Sequence, residues 1–275
     1  MKNLAKQLII GSTGKTGSRV MQRLTELGYT PVGAARGGEI YFDWNDATTW
    51  GPALNNVDSV YLTYYPDLAI PKAPEDISRF CALAKIRGIK HITLLSGRGE
   101  PAAQVCENIV KGSGINWTIV RASWFNQNFS EGLFNQFILA GKIALPVDDT
   151  TEPFVDVDDI ADVVVASLTQ PEHSGELYEV TGSELLSFKQ LAEKFSQVLA
   201  RKISFEQISL EQFQQNLSQN GVESGAIETL TYLFNEVLDG RNEFLTDGIE
   251  RALGRKPKTF SQYILDNFAS LEAVV

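Results

Sequence analysis

The sequence predicts a doubly wound α/β fold built on a parallel sheet, and three observations carry that expectation. Short apolar runs alternate with helical periodicities through the first two-thirds of the 275 residues. Those runs are apolar at nearly every position, as strands covered on both faces are. A glycine-spaced loop, Gly11-Ser12-Thr13-Gly14-Lys15-Thr16-Gly17, joins the first run to the first helical stretch. Strands that alternate with helices imply right-handed crossovers and helices on both faces of the sheet.

In order, Leu8–Ile10 reads as the first strand, and Ser18–Leu27 as a helix with Val20, Met21, Leu24 and Leu27 on one face. Thr30–Ala34 and Val57–Tyr64 read as strands, Ile77–Ile86 as a helix, and His91–Leu95 as a strand. Val105–Lys111 is the next helix and Trp117–Val120 the next strand. Beyond Arg121 the pattern loosens. Glu152–Val157 reads as a strand entering a helix over Asp159–Leu168, with Asp158 as its N-cap, and Glu176–Val180 as a later strand. Helices dominate from Ser187, over Phe188–Leu199, Leu210–Asn220 and Gly225–Glu236. The expected organisation is a first domain over 1–150, strands near 152–157 and 176–181 shared with it, and a smaller, mainly helical cap over 183–275.

Composition excludes several classes. The apolar fraction of 43% supports a large core, and no single-sign charge run suggests disorder. A net charge of −10 with no basic stretch argues against nucleic acid as a partner. Cys81 and Cys106 form no CxxC pair, and His91 and His173 are far apart, so neither a metal site nor a disulfide framework is expected. No apolar run approaches the roughly 18 residues of a membrane span, and no leader is expected before the first strand. The expected setting is cytoplasmic.

The glycine loop points to a dinucleotide. Gly11 takes the tight turn, Gly14 lets the backbone approach a phosphate, and Gly17 permits close helix–strand packing; the helix N-terminus offers its amides to the pyrophosphate. The embedded Gly14-Lys15-Thr16 suggests a P-loop, but that motif needs glycine where Ile9 stands. At the end of the second strand, Gly33-Ala34-Ala35-Arg36-Gly37-Gly38 lacks the acid that binds the ribose 2′-hydroxyl of NAD. Arg36, helped by Lys15, suits a 2′-phosphate instead, so NADP(H) is favoured over NAD(H).

With these residues in place, the chain resembles the atypical short-chain dehydrogenase/reductases, in their NmrA-like branch. The glycine loop carries the match, with Phe42-Asp43-Trp44, Val57–Val60, Trp117–Arg121 and Phe154–Ala161. Tyr64–Ala69, Leu95–Glu100, Arg121–Phe129 and Leu230–Asn242 make it similar, more narrowly, to bacterial relatives of the agroclavine/festuclavine synthases. The resemblance implies a Rossmann fold in which Gly11, Ser12, Thr13, Gly14, Lys15, Thr16 and Gly17 hold the pyrophosphate and Arg36 the adenosine phosphate. It sets Asp43 against the adenine amine. Thr63, Tyr64, Ser96 and Gly97 would lie beside the cofactor, with Ser123, Trp124 and Phe125 near the nicotinamide. Tyr65 and Asn126 would belong to the substrate pocket.

Most catalytic members of the wider family use a Tyr-x-x-x-Lys pair. With Glu107 and Ser113-Gly114 fixing the register, Gly99 falls at the tyrosine position and Ala103 at the lysine position, and neither does acid–base chemistry. Two functions stay open. One is a reductase transferring hydride to an already activated small molecule, an iminium ion or a quinone, with Ser96 and Trp124 as catalytic candidates. Tyr64, Tyr65, Trp124 and Phe125 would suit an aromatic or cationic substrate, and carboxylates such as Asp67 or Glu100 would add charge complementarity. The other is a non-catalytic redox sensor that binds the dinucleotide and reports to a protein partner, as the branch's namesake regulator does. Asp156, Asp158, Asp159 and Asp162 are read as helix-dipole partners rather than metal ligands.

Overall fold

The computed structural model describes residues 5–268. The chain divides into two compact units. The first holds residues up to Ala122, Val157–Val180 and Asp247–Arg255, and the second holds Ser123–Asp156, Thr181–Thr246 and the segment from Lys256 onward.

The first unit is a seven-stranded sheet. Its strands are β1 (Gln7–Ile10), β2 (Val32–Ala35), β3 (Ile40–Tyr41), β4 (Ser59–Leu62), β5 (His91–Gly97), β6 (Asn116–Ala122) and β7 (Glu176–Val180). They lie in the order β3-β2-β1-β4-β5-β6-β7, every neighbouring pair parallel. Strand order reverses at β1, between β2 and β4, the crevice where open α/β sheets bind ligands. The main helices are α1 (Lys15–Glu26), α2 (Ala73–Ile86), α3 (Pro101–Gly112) and α4 (Val157–Thr169). The strands and helices enclose a core that includes Leu8, Val60, Phe80, Ile92 and Ile119, each fully buried.

Two expectations about the α4 region are corrected. The strand over 152–157 is only Thr151–Glu152, which pairs antiparallel with Leu186–Ser187. Pro153 has no amide to extend a ladder, and Val155 makes an isolated bridge to Phe125. Asp158 does not cap α4, because the helix already starts at Val157. Its carboxylate faces α1, 3.0 Å from Arg19 and 2.9 Å from Arg23. Asp162 pairs with Arg23 at 2.5 Å and Asp159 with Arg255 at 2.6 Å, so these acids clamp α4 to its neighbours.

The second unit has its own core, in which Phe129, Phe134, Phe154, Phe188, Phe195, Phe234 and Phe260 pack edge-on or tilted. Its regular elements include the helices Phe188–Val198 and Leu210–Gln219, each opened by a serine capping box. The expected helix over 225–236 is Ser224–Tyr232 followed by a wider turn over Leu233–Val237. A parallel pair, Lys142–Leu145 with Ser204–Gln207, has no counterpart in the sequence reading. Among the described residues, no helix is long and apolar enough to cross a membrane.

Candidate functional site

At the reversal point, β1 runs into the glycine loop. Gly11 has φ +74°, a conformation that glycine adopts without strain. Its amide donates to the Ala34 carbonyl at 2.8 Å, and the Gly14 amide returns to the Gly11 carbonyl at 2.9 Å. A Cβ on Gly17 would run into that same carbonyl, so α1 can approach the loop only with glycine there. No side chain caps α1, and its first turn contains no acid. Ser12, Thr13 and Lys15 therefore line a backbone cradle that fits a pyrophosphate. Thr16 is buried beneath it.

β4 closes the other side of the crevice. The Thr63 hydroxyl donates to the Ile10 carbonyl at 2.9 Å, and the Thr63 carbonyl accepts from the Trp44 indole at 3.0 Å. Tyr64 turns inward: its ring lies 4.7 Å from Trp44 and its hydroxyl donates to Asp76 at 2.7 Å. Burial, reinforced by Asp76, pushes the Tyr64 phenol up. Asp43 holds a turn, its side chain accepting the Asn45 amide at 2.9 Å and its carbonyl accepting the Trp50 indole at 2.9 Å. At the rim, the Arg36 guanidinium lies 4.6 Å over the ring of the exposed Tyr65.

The end of β5 carries a second cluster. The Ser96 hydroxyl donates to Glu107 at 2.8 Å, and Arg121 grips the same carboxylate with two bonds, at 2.9 and 2.6 Å. Burial alone would push Glu107 up, but the bonds from Arg121 and Ser96, with the charges of Arg121 and Lys111, hold it below the ordinary range. Gly97 ends the strand with the Glu100 carboxyl lying over it, where its own side chain would stand. Gly99 sits at φ +78° and Ala103, on α3, is buried in the core of the first unit.

Ser123, Trp124, Phe125 and Asn126 belong to the second unit. Trp124 is half-buried, 5.3 Å from Phe234 and 6.1 Å from Phe188. The Asn126 amide to Val155 fixes the segment at 2.9 Å. The Ser123 hydroxyl and both polar atoms of the Asn126 side chain are buried without hydrogen-bond partners. Buried polar groups in this condition are costly, and a bound ligand group would satisfy them.

The sequence reading used Glu107 only to fix a register and did not find its bonds to Ser96 and Arg121. The signal was present in Arg121, a cation at the end of a strand whose other residues are mostly apolar.

A family model described as "NmrA-like family" matches residues 103–269. The NAD(P)H azoreductase of Xenophilus azovorans is 27% identical, covering 97% of this chain and 99% of its own. The agroclavine dehydrogenase of Claviceps fusiformis is 28% identical, covering 94% and 96%. In fold, the Citrobacter sp. triphenylmethane reductase complexed with NADP(H) superposes with a TM-score of 0.82 at 17% identity, covering 96% of this chain and 100% of that one. Relatives that span nearly the whole chain are thus named as oxidoreductases, which supports an oxidoreductase here.

Proposed function

The chain belongs to the NmrA-like family, and from that premise we propose that it is an NADP(H)-preferring reductase. It transfers hydride to a small, already activated acceptor of the iminium or quinone type. What supports this reading is the glycine loop Gly11–Gly17 taken with Gly99 and Ala103 at the positions where the resemblance sets a tyrosine and a lysine. Bound in the crevice, the dihydronicotinamide supplies the hydride; the chain's part is to hold it, orient it and exclude water. Gly11–Gly17 hold the pyrophosphate, with Asp43 at the adenine end. Thr63 and Tyr64 wall the crevice, and Ser96 and Gly97 line it at β5. Ser123, Trp124 and Phe125 serve the nicotinamide end, while Tyr65 and Asn126 serve the substrate.

Selection of NADP(H) rests on Arg36, an exposed cation held over Tyr65 at the end of a strand that lacks an acid. Arg36→Ala should weaken NADPH binding about tenfold or more and leave NADH binding within about twofold. Equal weakening of both would remove Arg36 from phosphate recognition. The direct test of function is titration with NADPH by nicotinamide fluorescence, followed by a panel of cyclic iminium ions and quinones. Oxidation of NADPH on adding an acceptor supports the reductase and names its electrophile. Tight binding with no turnover across the panel would favour a redox sensor acting on a protein partner.

A further inference from the structure

Glu100 stands at the N-cap of α3, yet its side chain does not cap the helix. Its carboxyl instead folds back over Gly97, in space that any other residue at that position would fill. The residue is 5% exposed, and its Oε2 is buried with no hydrogen-bond partner. Among the described residues, the side chain that acts on this carboxyl is another carboxyl, that of Asp67 in the segment after β4. Burial, then the charge and hydrogen bond of Asp67, push Glu100 up to about 9, so it keeps its proton at neutral pH. The other titratable groups nearby do not reverse this. Cys106, facing Asp67 from α3, has its thiol pushed up to about 11 by burial, Asp67 and Glu107. Arg98 pairs with Glu179 at 2.6 Å and Arg121 with Glu107 at 2.6 Å.

We propose that Glu100, folded over Gly97 with an unpartnered carboxyl oxygen, is the proton donor of this site, and that Asp67 is its positioning residue. This rests on the reductase reading and narrows it to acceptors that need a proton as well as a hydride, quinones in the first place. A bound dihydronicotinamide would supply hydride, which forms an O–H bond at one quinone oxygen as the ring becomes aromatic and an electron pair moves onto the other oxygen. That oxygen forms a new O–H bond as the Glu100 O–H bond breaks, leaving a carboxylate and a hydroquinone. Solvent returns the proton to Glu100. Glu100 thus fills the role that Gly99 and Ala103 cannot, from the position next to Gly99.

Two measurements test this on the full chain. Infrared titration of the protein without dinucleotide should show a protonated-carboxyl stretch that disappears with a midpoint near 9. The band should be missing in Glu100→Gln and lose its proton at lower pH in Asp67→Asn. With NADPH and a water-soluble naphthoquinone, Glu100→Gln should lower kcat about 100-fold or more, as loss of a general acid does. Asp67→Asn should move the alkaline fall of kcat to lower pH, a change that loss of packing alone would not produce. A wild-type protein with no such band at pH 7, or a Glu100→Gln variant with unchanged kcat, overturns the proposal while leaving a reductase. A wild-type protein that binds NADPH but reduces no acceptor overturns the reductase reading and this proposal together.

Discussion

Glu100 and Glu107 lie about two helical turns apart at and within α3, both almost wholly buried, and their surroundings push them in opposite directions. Glu107 receives two bonds from Arg121 and one from Ser96, with Lys111 3.6 Å away, so it stays ionised despite its burial. Glu100 is met by a carboxyl and has an oxygen with no partner, so it stays protonated. Burial is common to both and therefore does not explain the difference. The difference lies in what the rest of the chain presents: a cation from the end of β6 to one, an acid from the segment after β4 to the other. The same helix thus carries one carboxylate that fastens the sheet and one carboxylic acid with a proton to give.

The comparison breaks most visibly at Glu107. Glu107→Ala leaves the Arg121 guanidinium without its main partner, and loss of one member of a buried pair is strongly destabilising. A loss of about 3 kcal/mol in urea denaturation is expected, moderated by Glu179, which lies 3.8 Å from Arg121. A loss under about 1 kcal/mol would mean that Glu179 takes over the cation and that the pair is not what fastens β6 to α3.

At Glu100 the expected effect has the opposite sign. Between the ordinary value of 4.5 and about 9, the folded chain binds a proton that the unfolded chain has released. Stability from this group is therefore complete below pH 4.5, declines as pH rises through the window, and is lost by about pH 9. Glu100→Gln removes that decline. At pH 8 the variant should be more stable than the wild type, with little or no advantage at pH 4. Parallel stability curves for the two proteins would mean that Glu100 titrates in its usual range.

How much of this was readable in the sequence follows from the range of each interaction. The parallel sheet and the glycine loop were legible, because period and loop spacing are local: Gly11, Gly14 and Gly17 declare a close approach within seven residues. Boundaries were less so. α4 starts at Val157 rather than after an Asp158 cap, because Arg19 and Arg23, some 135 residues earlier in the chain, claim the Asp158 side chain. The two glutamates were visible as residues and opaque as chemistry: Glu100, expected to add negative charge for a substrate, is pushed toward its neutral form by burial and by Asp67. Nothing near Glu100 in sequence announces Asp67, which is brought to it only when β4 and β5 pair. The nearest hint was Gly97, three residues earlier, whose missing side chain leaves room for the carboxyl.

The smallest effect sharpens the comparison at the residue that touches only one side of it. Ser96 ends β5 beside Gly97, where a hydroxyl could polarise a substrate, yet its proton points to Glu107. If that is its whole task, Ser96→Ala should cost about 1.5 kcal/mol of stability, the worth of a hydrogen bond to a charged group. Its kcat with a quinone and the pH dependence of that kcat should then match the wild type. If Ser96 also meets the substrate, kcat falls well beyond what the stability loss explains, with the alkaline limb still in place because Glu100 is intact. The two variants then separate the tasks: Ser96→Ala reports on the carboxylate that fastens the sheet, and Glu100→Gln on the acid that supplies the proton.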